Sequence, residues 1–570
     1  MTFCRLGYFK YIYVLLVVGC ILLALVMYSS TGKPVIADDV EELNFSAESG
    51  FYEDEFDLYI DAVGGTVFYT LDGSTPTCQS NKYTGPIHIS DASNNENVYS
   101  TRTDISSGFQ KELIEEYSLF YEDPQYVIPD YSVDKCTVVR AVIYYGNDRY
   151  SKVKSASYFV GFDDKNGYDD INTVSIVTDP DNLFGYENGI YVTGKTFDEY
   201  FNTHLKDDSV FYQWWAWEGN YSLRGREQER TASIQFFDEK GRLKLSQMTG
   251  IRIHGGASRA FSQKSMNLYS REEYNGKDYF QNYLFDNDYL PHTVTINVCG
   301  EDAYSKMRDC LFNRLVRNLN VSTMNFEPYN LFLDGEYWGF GWITDKYDKE
   351  FVHNRYGIDT DNVIMIKNNV LSEGEDGDYE LYSDMLDFCS NADMTDNNNF
   401  YIASQLIDME SYLDYYASMI YVARCGDWPQ GNVALWRSRK IGNEKYCDGK
   451  WRWMVFDLYT TSMEEELADE DTINSAMNDS PMFANLMQND MFRTAFLDKL
   501  LLLSDSTFNV DTVNREIKEI REILDSAMEN NISRYYGEGK YSLYFDEVES
   551  IENFFEKRGT YIKDLVGEYR

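Results

Sequence analysis

The period of apolar and polar positions changes several times along the chain. Residues 11–32 contain no charged side chain, and most are apolar. About 20 such residues, at a helical rise of about 1.5 Å, can cross a hydrocarbon layer of about 30 Å. Arg5 and Lys10 precede the run, and Asp38, Asp39, Glu41 and Glu42 follow it. The positive-inside bias then puts the N-terminus in the cytoplasm and the bulk of the chain outside the cell. This pattern predicts a single-pass membrane anchor over 1–32 and a short stalk over 33–48. A cleaved signal peptide and a lipobox at Val17-Val18-Gly19-Cys20 fit less well, because the run continues past Cys20 without an Ala-x-Ala exit.

From Gly50 to about Gly161, β-branched and aromatic residues alternate between turn clusters. Thr66-Val-Phe-Tyr-Thr70 leads into Asp72-Gly-Ser-Thr-Pro76, and Thr137–Tyr144 leads into Gly146-Asn147-Asp148. Short strands joined by such turns predict a small β-sandwich over 49–161. Val174-Ser-Ile-Val177 reads as a buried strand that opens a second domain, over 172–505. Further on, Leu406, Ile407, Leu413, Tyr416, Met419 and Ile420 recur near helical spacing. Val513–Leu524 is amphipathic with charged pairs four residues apart, so 506–570 reads as a helical extension of that domain. Strands first and helices later indicate an α+β class with two lobes.

Charge narrows the partners. With 51 Lys+Arg against 94 Asp+Glu, the net charge is −43. A surface this acidic repels nucleic-acid phosphates and anionic headgroups, which excludes nucleic acid as a partner and a polybasic membrane patch. It would instead attract basic proteins. The 43% hydrophobic and 16% aromatic content is ample for cores and rules out general disorder. Seven cysteines lie beyond the apolar run, an odd number, without CxxC or Cys/His metal spacing. Reduced thiols and a few disulfides both remain open.

Two constellations carry candidate chemistry. The first is Gly250–Tyr269, where alternating Ile251 and Ile253 break at Gly255-Gly256 and alternation resumes at Met266 and Leu268. A strand, glycine-rich turn and strand bearing Arg252, Arg259 and Lys264 is what a triphosphate cradle needs. Walker A spacing is absent, and an ordinary hairpin with exposed basic residues has the same pattern. The second is Asp427-Trp-Pro-Gln-Gly-Asn432 with Trp451–Asp457. Asp-x4-Asn is the spacing of a kinase catalytic loop, and Asp457 falls where an alternating strand stops. Hard oxygen donors suit Mg²⁺ or Mn²⁺. A turn at Asp427 and a left-handed loop residue at Asn432 are the plainer reading. Trp214-Trp-Ala-Trp217 reads as core packing rather than a sugar platform. Asp334-Gly335 reads as a hairpin turn, Asp345-Lys346 as a surface pair, and Cys425 as a buried structural thiol.

Gly50-Phe-Tyr, Val67–Pro76 and Val139-Arg-Ala141 together resemble the chitobiase/β-hexosaminidase C-terminal-like domain, which implies a spacer or accessory module with carbohydrate as a partner. From about Val174 to Phe496 the chain resembles the CotH-type atypical protein kinases associated with spore coats. The motifs are Asp179–Phe184, Gly189-Ile-Tyr-Val192, Glu229-Arg230, the Arg-x-His-Gly-Gly-x-Ser-Arg block ending at Ser265, Arg308-Asp309, Asp334–Gly339, Asp427…Asn432 and Asp457. The resemblance implies a two-lobed atypical kinase that transfers the ATP γ-phosphoryl group to Ser or Thr of surface or coat proteins, and the apolar run would anchor it to a membrane. Lys264 would contact the nucleotide phosphates, Asp427 would serve the acceptor hydroxyl, and Asn432 and Asp457 would hold Mg²⁺ or Mn²⁺. All four should then line one cleft. Two positions depart from the family: Gln263 stands where a second Lys is common, and Tyr459 where a second acid is common. They keep open a degenerate surface scaffold that no longer turns over.

Overall fold

The computed structural model describes residues 35–36, 43–118, 126–163, 165–168, 171–204, 213–285, 289–458 and 462–570. The expected anchor over 1–32 lies outside them. Among the described residues no helix is long and apolar enough to cross a membrane. The single-pass assignment, with its cytoplasmic N-terminus and exterior bulk, is corrected on that ground. The two longest helices, Val510–Tyr536 and Ser542–Tyr569, each bury an apolar stripe and carry charge elsewhere.

The chain divides into two compact units. The smaller comprises 56–89, 139–156 and the described residues up to 48. Most of its strand pairs are antiparallel: Thr66–Thr70 pairs with Thr137–Gly146, Leu43–Phe45 with Ile60–Ala62, and Phe56–Leu58 with Ile87–Ile89, while Val35–Ile36 pairs in parallel with Arg149–Tyr150. Alternation decides which side chains go inside, and Leu58, Val67, Ile87, Ile89, Ala141 and Ile143 are buried. Asp72 does what a turn residue does: its carboxylate accepts from Ser74 N at 3.0 Å, and Gly73 takes φ 79°. Asn147 and Asp148, at φ 52° and 55°, close the Gly146–Arg149 hairpin in the left-handed turn that tight hairpins favour.

The larger unit begins as a closed seven-stranded barrel. Around it run Asn172–Val177, Arg230–Phe237, Leu243–Ile253, Met266–Tyr269, Thr293–Asn297, Glu336–Asp345 and Phe326–Leu333, and the last pairs in parallel with the first. Val174, Ile234, Ile251, Leu268, Ile296 and Leu331 share its apolar interior. Asp334 and Gly335, at φ 44° and 94°, make the expected hairpin turn, with Tyr337 and Trp338 buried beyond it. Trp214 and Trp217 are buried among Phe197, Tyr200 and Tyr221, so packing is their role.

A four-stranded antiparallel sheet follows, in the order Val370–Glu373, Val363–Lys367, Ala434–Ser438, Arg452–Met454. The helices Met409–Tyr421, Asp490–Asp505, Val510–Tyr536 and Ser542–Tyr569 pack with Arg308–Val316 into one large core. Residues beyond 505 belong to that core, through Val513, Ile517, Phe554 and Phe555 among others. The class is mixed α+β with a helical C-terminal part. The cysteines from Cys78 to Cys447 are thiols rather than disulfides, and Cys425 is half-buried rather than buried.

One polar contact joins the last helix to the interior. Arg558, fully buried, donates to the carbonyls of Ile420, Tyr421, Ala468 and Glu470 and to Thr472 Oγ1, at 2.7–3.1 Å. Ile420 and Tyr421 end the helix Met409–Tyr421, whose last carbonyls have no partner within the helix. Burial pushes the Arg558 guanidinium down to about 10. Arg558→Met takes its donors from all four carbonyls; Ile420 keeps Thr472 Oγ1 and Glu470 keeps Thr472 N, while those of Tyr421 and Ala468 lose the guanidinium, and the expected cost is about 2–4 kcal/mol in urea unfolding. A loss below about 1 kcal/mol would show that water replaces the clip.

Candidate functional site

A cleft of about 840 Å³ is lined by barrel residues on one side and by the sheet and its loops on the other. The barrel contributes the glycine-rich segment. Leu243–Ile253 and Met266–Tyr269 are paired, with Ile253 opposite Met266, so residues 254–265 are a loop held at both ends. Its first turn needs glycine at 255, where φ is 113° and a Cβ would lie 2.5 Å from Ser258 Oγ. His254, Gly255, Gly256, Ser258 and Arg259 face the cleft. His254 is held neutral, down to about 3, by burial and by Lys367, Arg259, Lys346 and Arg224 around it.

The expected cations have three different fates. Arg252 lines the cleft, stacked 4.4 Å over the Tyr269 ring and donating to the Tyr269 hydroxyl. Arg259 reaches the cleft too, but its guanidinium donates to the carbonyls of Gly255, Tyr221, Leu223 and Ile253 at 2.7–3.1 Å. It staples the loop. Lys264 is not among the cleft-lining residues. Its ammonium is fully buried, bonded to the Phe261 carbonyl and 4.5 Å and 5.2 Å from the Tyr221 and Tyr191 rings. Burial depresses it well below the ordinary lysine range, with Arg259 adding to the effect. The requirement that Lys264, Asp427, Asn432 and Asp457 line one cleft is met by the last three and not by Lys264.

Gln263 also points elsewhere. Its Nε2 donates to the Trp338 and Phe340 carbonyls, and its Oε1 accepts from Lys306 Nζ at 2.9 Å. Gly339 makes room, since a Cβ there would lie 2.5 Å from Gln263 Nε2. A cation at this position is therefore supplied from Lys306, and the departure removes no charge from the cleft. Tyr459, the other departure, lies outside the described residues.

The opposite wall carries the acids. Asp427 and Asn432 belong to the loop after Met409–Tyr421, and Asp457 lies three residues beyond Arg452–Met454. Asn432 Nδ2 donates to Asp427 Oδ2 at 2.7 Å, and Arg424 Nη2 donates to Asp427 Oδ1 at 2.9 Å. Asn432 and Asp457 both adopt left-handed backbone, φ 50° and 58°. Desolvation pushes the Asp457 carboxyl up to about 6, Glu301 and Asp427 add to the rise, and Arg424 opposes it.

Sequence reasoning missed Lys346, Lys367 and Arg424, all of which line the cleft. Lys367 ends the strand Val363–Lys367 and donates to the Tyr347 carbonyl; burial and Lys346 bring it down to about 8. Lysines at strand ends are a signal, but a weak one. Asp345 is no surface residue: it is buried and accepts from the Tyr289 hydroxyl and from Asn325 N and Nδ2. Burial raises its carboxyl.

These placements separate cleft from support. Gln263→Lys sets a second ammonium against Lys306, so its expected effect is a stability loss of about 1–3 kcal/mol with no gain in nucleotide affinity. Lys264→Met conserves volume and should leave nucleotide affinity within about 3-fold of the parent. Equilibrium binding of a fluorescent ATP analogue reads both, and a Lys264→Met loss beyond 10-fold with the fold intact would restore Lys264 to the site.

No curated protein matches the chain. Residues 58–158 match the family model described as Fn3 associated, which is compatible with the expected chitobiase-like domain without bearing that label. Residues 251–562 match the model described as CotH kinase protein. The match begins beside Arg252, contains Asp427, Asn432 and Asp457, and runs through most of the last helix. It covers more than half of the 570 residues, and the chain belongs to the CotH kinase family.

Proposed function

We propose that this chain is a protein kinase that transfers the γ-phosphoryl group of ATP to a Ser or Thr hydroxyl of a basic protein. What carries the reading is the meeting, in one cleft, of a cationic glycine-rich wall with the Asp427, Asn432 and Asp457 wall. The first wall suits a polyphosphate: backbone can approach closely at Gly255-Gly256, and Arg252, Lys346 and Lys367 supply charge. Lys367 gains most from a bound phosphate, because the anion offsets the burial that now depresses its ammonium. Arg259 and Lys264 shape the loop from within.

The second wall fits a hard divalent cation. Asp457 offers a carboxylate whose ionisation is opposed by burial, and a cation relieves that cost. Asn432 commits its amide nitrogen to Asp427 and so presents carbonyl oxygen chemistry to a metal. Two protein oxygens suffice for Mg²⁺ or Mn²⁺, which keep waters and take phosphate oxygens as further ligands. Such a cation, when bound, would offset charge on the phosphoryl oxygens. Asp427, more than half exposed and gripped by Arg424 and Asn432, accepts the hydrogen bond of the incoming hydroxyl and aims its oxygen. The acidic surface favours encounter with basic substrates.

A second reading is a degenerate member that binds nucleotide without transfer. It draws on the sparse donor set: among the described residues no group of three or more His, Cys, Asp or Glu is placed to hold a metal. Transfer from labelled ATP by the full chain to a basic Ser/Thr-rich protein, with Mn²⁺ or Mg²⁺, separates the two. Asp457→Asn should lower transfer at least about 100-fold, and Arg252→Ala should raise the KM for ATP about 10-fold. Tight nucleotide binding with no transfer, or equal transfer by the Asp457 variant, favours the degenerate reading.

A further inference from the structure

Arg424 is a buried cation in the acidic wall: Nη1 donates to the Cys425 carbonyl at 3.2 Å and Nη2 to Asp427 Oδ1 at 2.9 Å. Its side chain is only 3% exposed, while its partner Asp427 is 57% exposed. An ion pair on an open surface contributes little to stability, whereas burying a guanidinium is costly before pairing repays it. The chain nevertheless goes to some length to put it there. The helix Met409–Tyr421 ends under the Arg558 clip, Ala423 then turns through left-handed backbone at φ 51°, and Arg424 N donates back to the Met419 carbonyl at 3.0 Å. Three residues later Asp427 receives the guanidinium on Oδ1 and Asn432 on Oδ2. Each carboxylate oxygen retains acceptor capacity for one more donor, and Asp457 lines the same cleft.

We propose that Arg424 is a positioning residue for phosphoryl transfer: it fixes the Asp427 carboxylate toward the acceptor hydroxyl and offsets the charge that Asp427 and Asp457 place on one wall. The inference rests on the kinase reading above and adds a residue that neither the glycine-rich block nor the Asp-x4-Asn spacing contains. A guanidinium serves this better than an ammonium, because its planar fork holds one carboxylate orientation while the charge stays delocalised. The same cation makes the wall less attractive to a divalent ion. Arg424 thus raises transfer and weakens metal affinity, a combination that a purely structural arginine does not produce.

The test compares the full chain with Arg424→Met and Arg424→Lys, each checked for parental thermal unfolding. Labelled-ATP transfer is measured alongside Mn²⁺ binding by paramagnetic resonance without nucleotide. Arg424→Met should lower kcat at least about 30-fold with the KM for ATP within about 3-fold, and should bind Mn²⁺ severalfold more tightly. Arg424→Lys should return Mn²⁺ affinity to the parental value and recover part of kcat. Unchanged kcat in Arg424→Met overturns the proposal. So does reduced kcat with equal or weaker Mn²⁺ binding, which marks a structural arginine. If the Met variant does not fold, the Lys variant decides: kcat equal to the parent overturns the proposal, and a reduced kcat at parental Mn²⁺ affinity supports it. A parental chain that transfers nothing overturns the kinase reading instead, and the Mn²⁺ comparison then judges Arg424 alone.

Discussion

The acidic wall of the cleft hangs on a hydrogen-bond requirement at one helix end. Met409–Tyr421 stops inside the core, where its last carbonyls have no water to turn to. Arg558 satisfies two of them and ties the same point to residues 468–472. The chain therefore leaves the helix in one direction, through Ala423, and delivers Arg424, Asp427 and Asn432 to the cleft. A guanidinium more than a hundred residues downstream sets the geometry of a loop it does not touch. This is why the C-terminal helices belong with the site rather than after it.

The barrel solves the complementary problem. Closure removes free sheet edges and makes a stiff frame, and the register of Ile253 opposite Met266 holds the glycine-rich loop at both feet. Arg259 spends its guanidinium on four carbonyls of that frame. Two basic residues that look alike in the sequence thus differ in kind: Arg252 presents charge to the cleft, and Arg259 rigidifies what presents it. Lys264 goes further, into the interior against the Tyr191 and Tyr221 rings, where burial depresses its ammonium.

A chain with net charge −43 gathers Arg224, Arg252, Arg259, Lys346, Lys367 and Arg424 around one cleft. The field of the rest of the surface opposes polyanions, so extended nucleic acid remains excluded, while a small phosphate ligand meets the local cations. Burial first, and these cations after it, keep His254 neutral there.

Local pattern was enough for much of this protein. Alternation marked Val174–Val177, Ile251–Ile253 and Trp451–Val455 as strand, and turn chemistry marked Asp72-Gly73 and Asp334-Gly335; helical spacing marked 513–524 and also 406–420, where the structure breaks the run at Ile407 and Asp408 between two helices. These depend on interactions within a few residues, which a linear sequence displays. Asp427, Asn432 and Asp457 were legible because a loop spacing and a strand end keep them close in the chain. The cations were not, because burial depends on what packs above a side chain. Lys264 and Gln263 lie among apparent phosphate binders yet point into the core, while Lys346, Lys367 and Arg424 reach the cleft from separate elements. Which charge faces solvent, which faces a ligand and which satisfies a carbonyl is settled only when distant segments share one low-dielectric interior, and there an unpartnered polar group costs more than any local preference supplies.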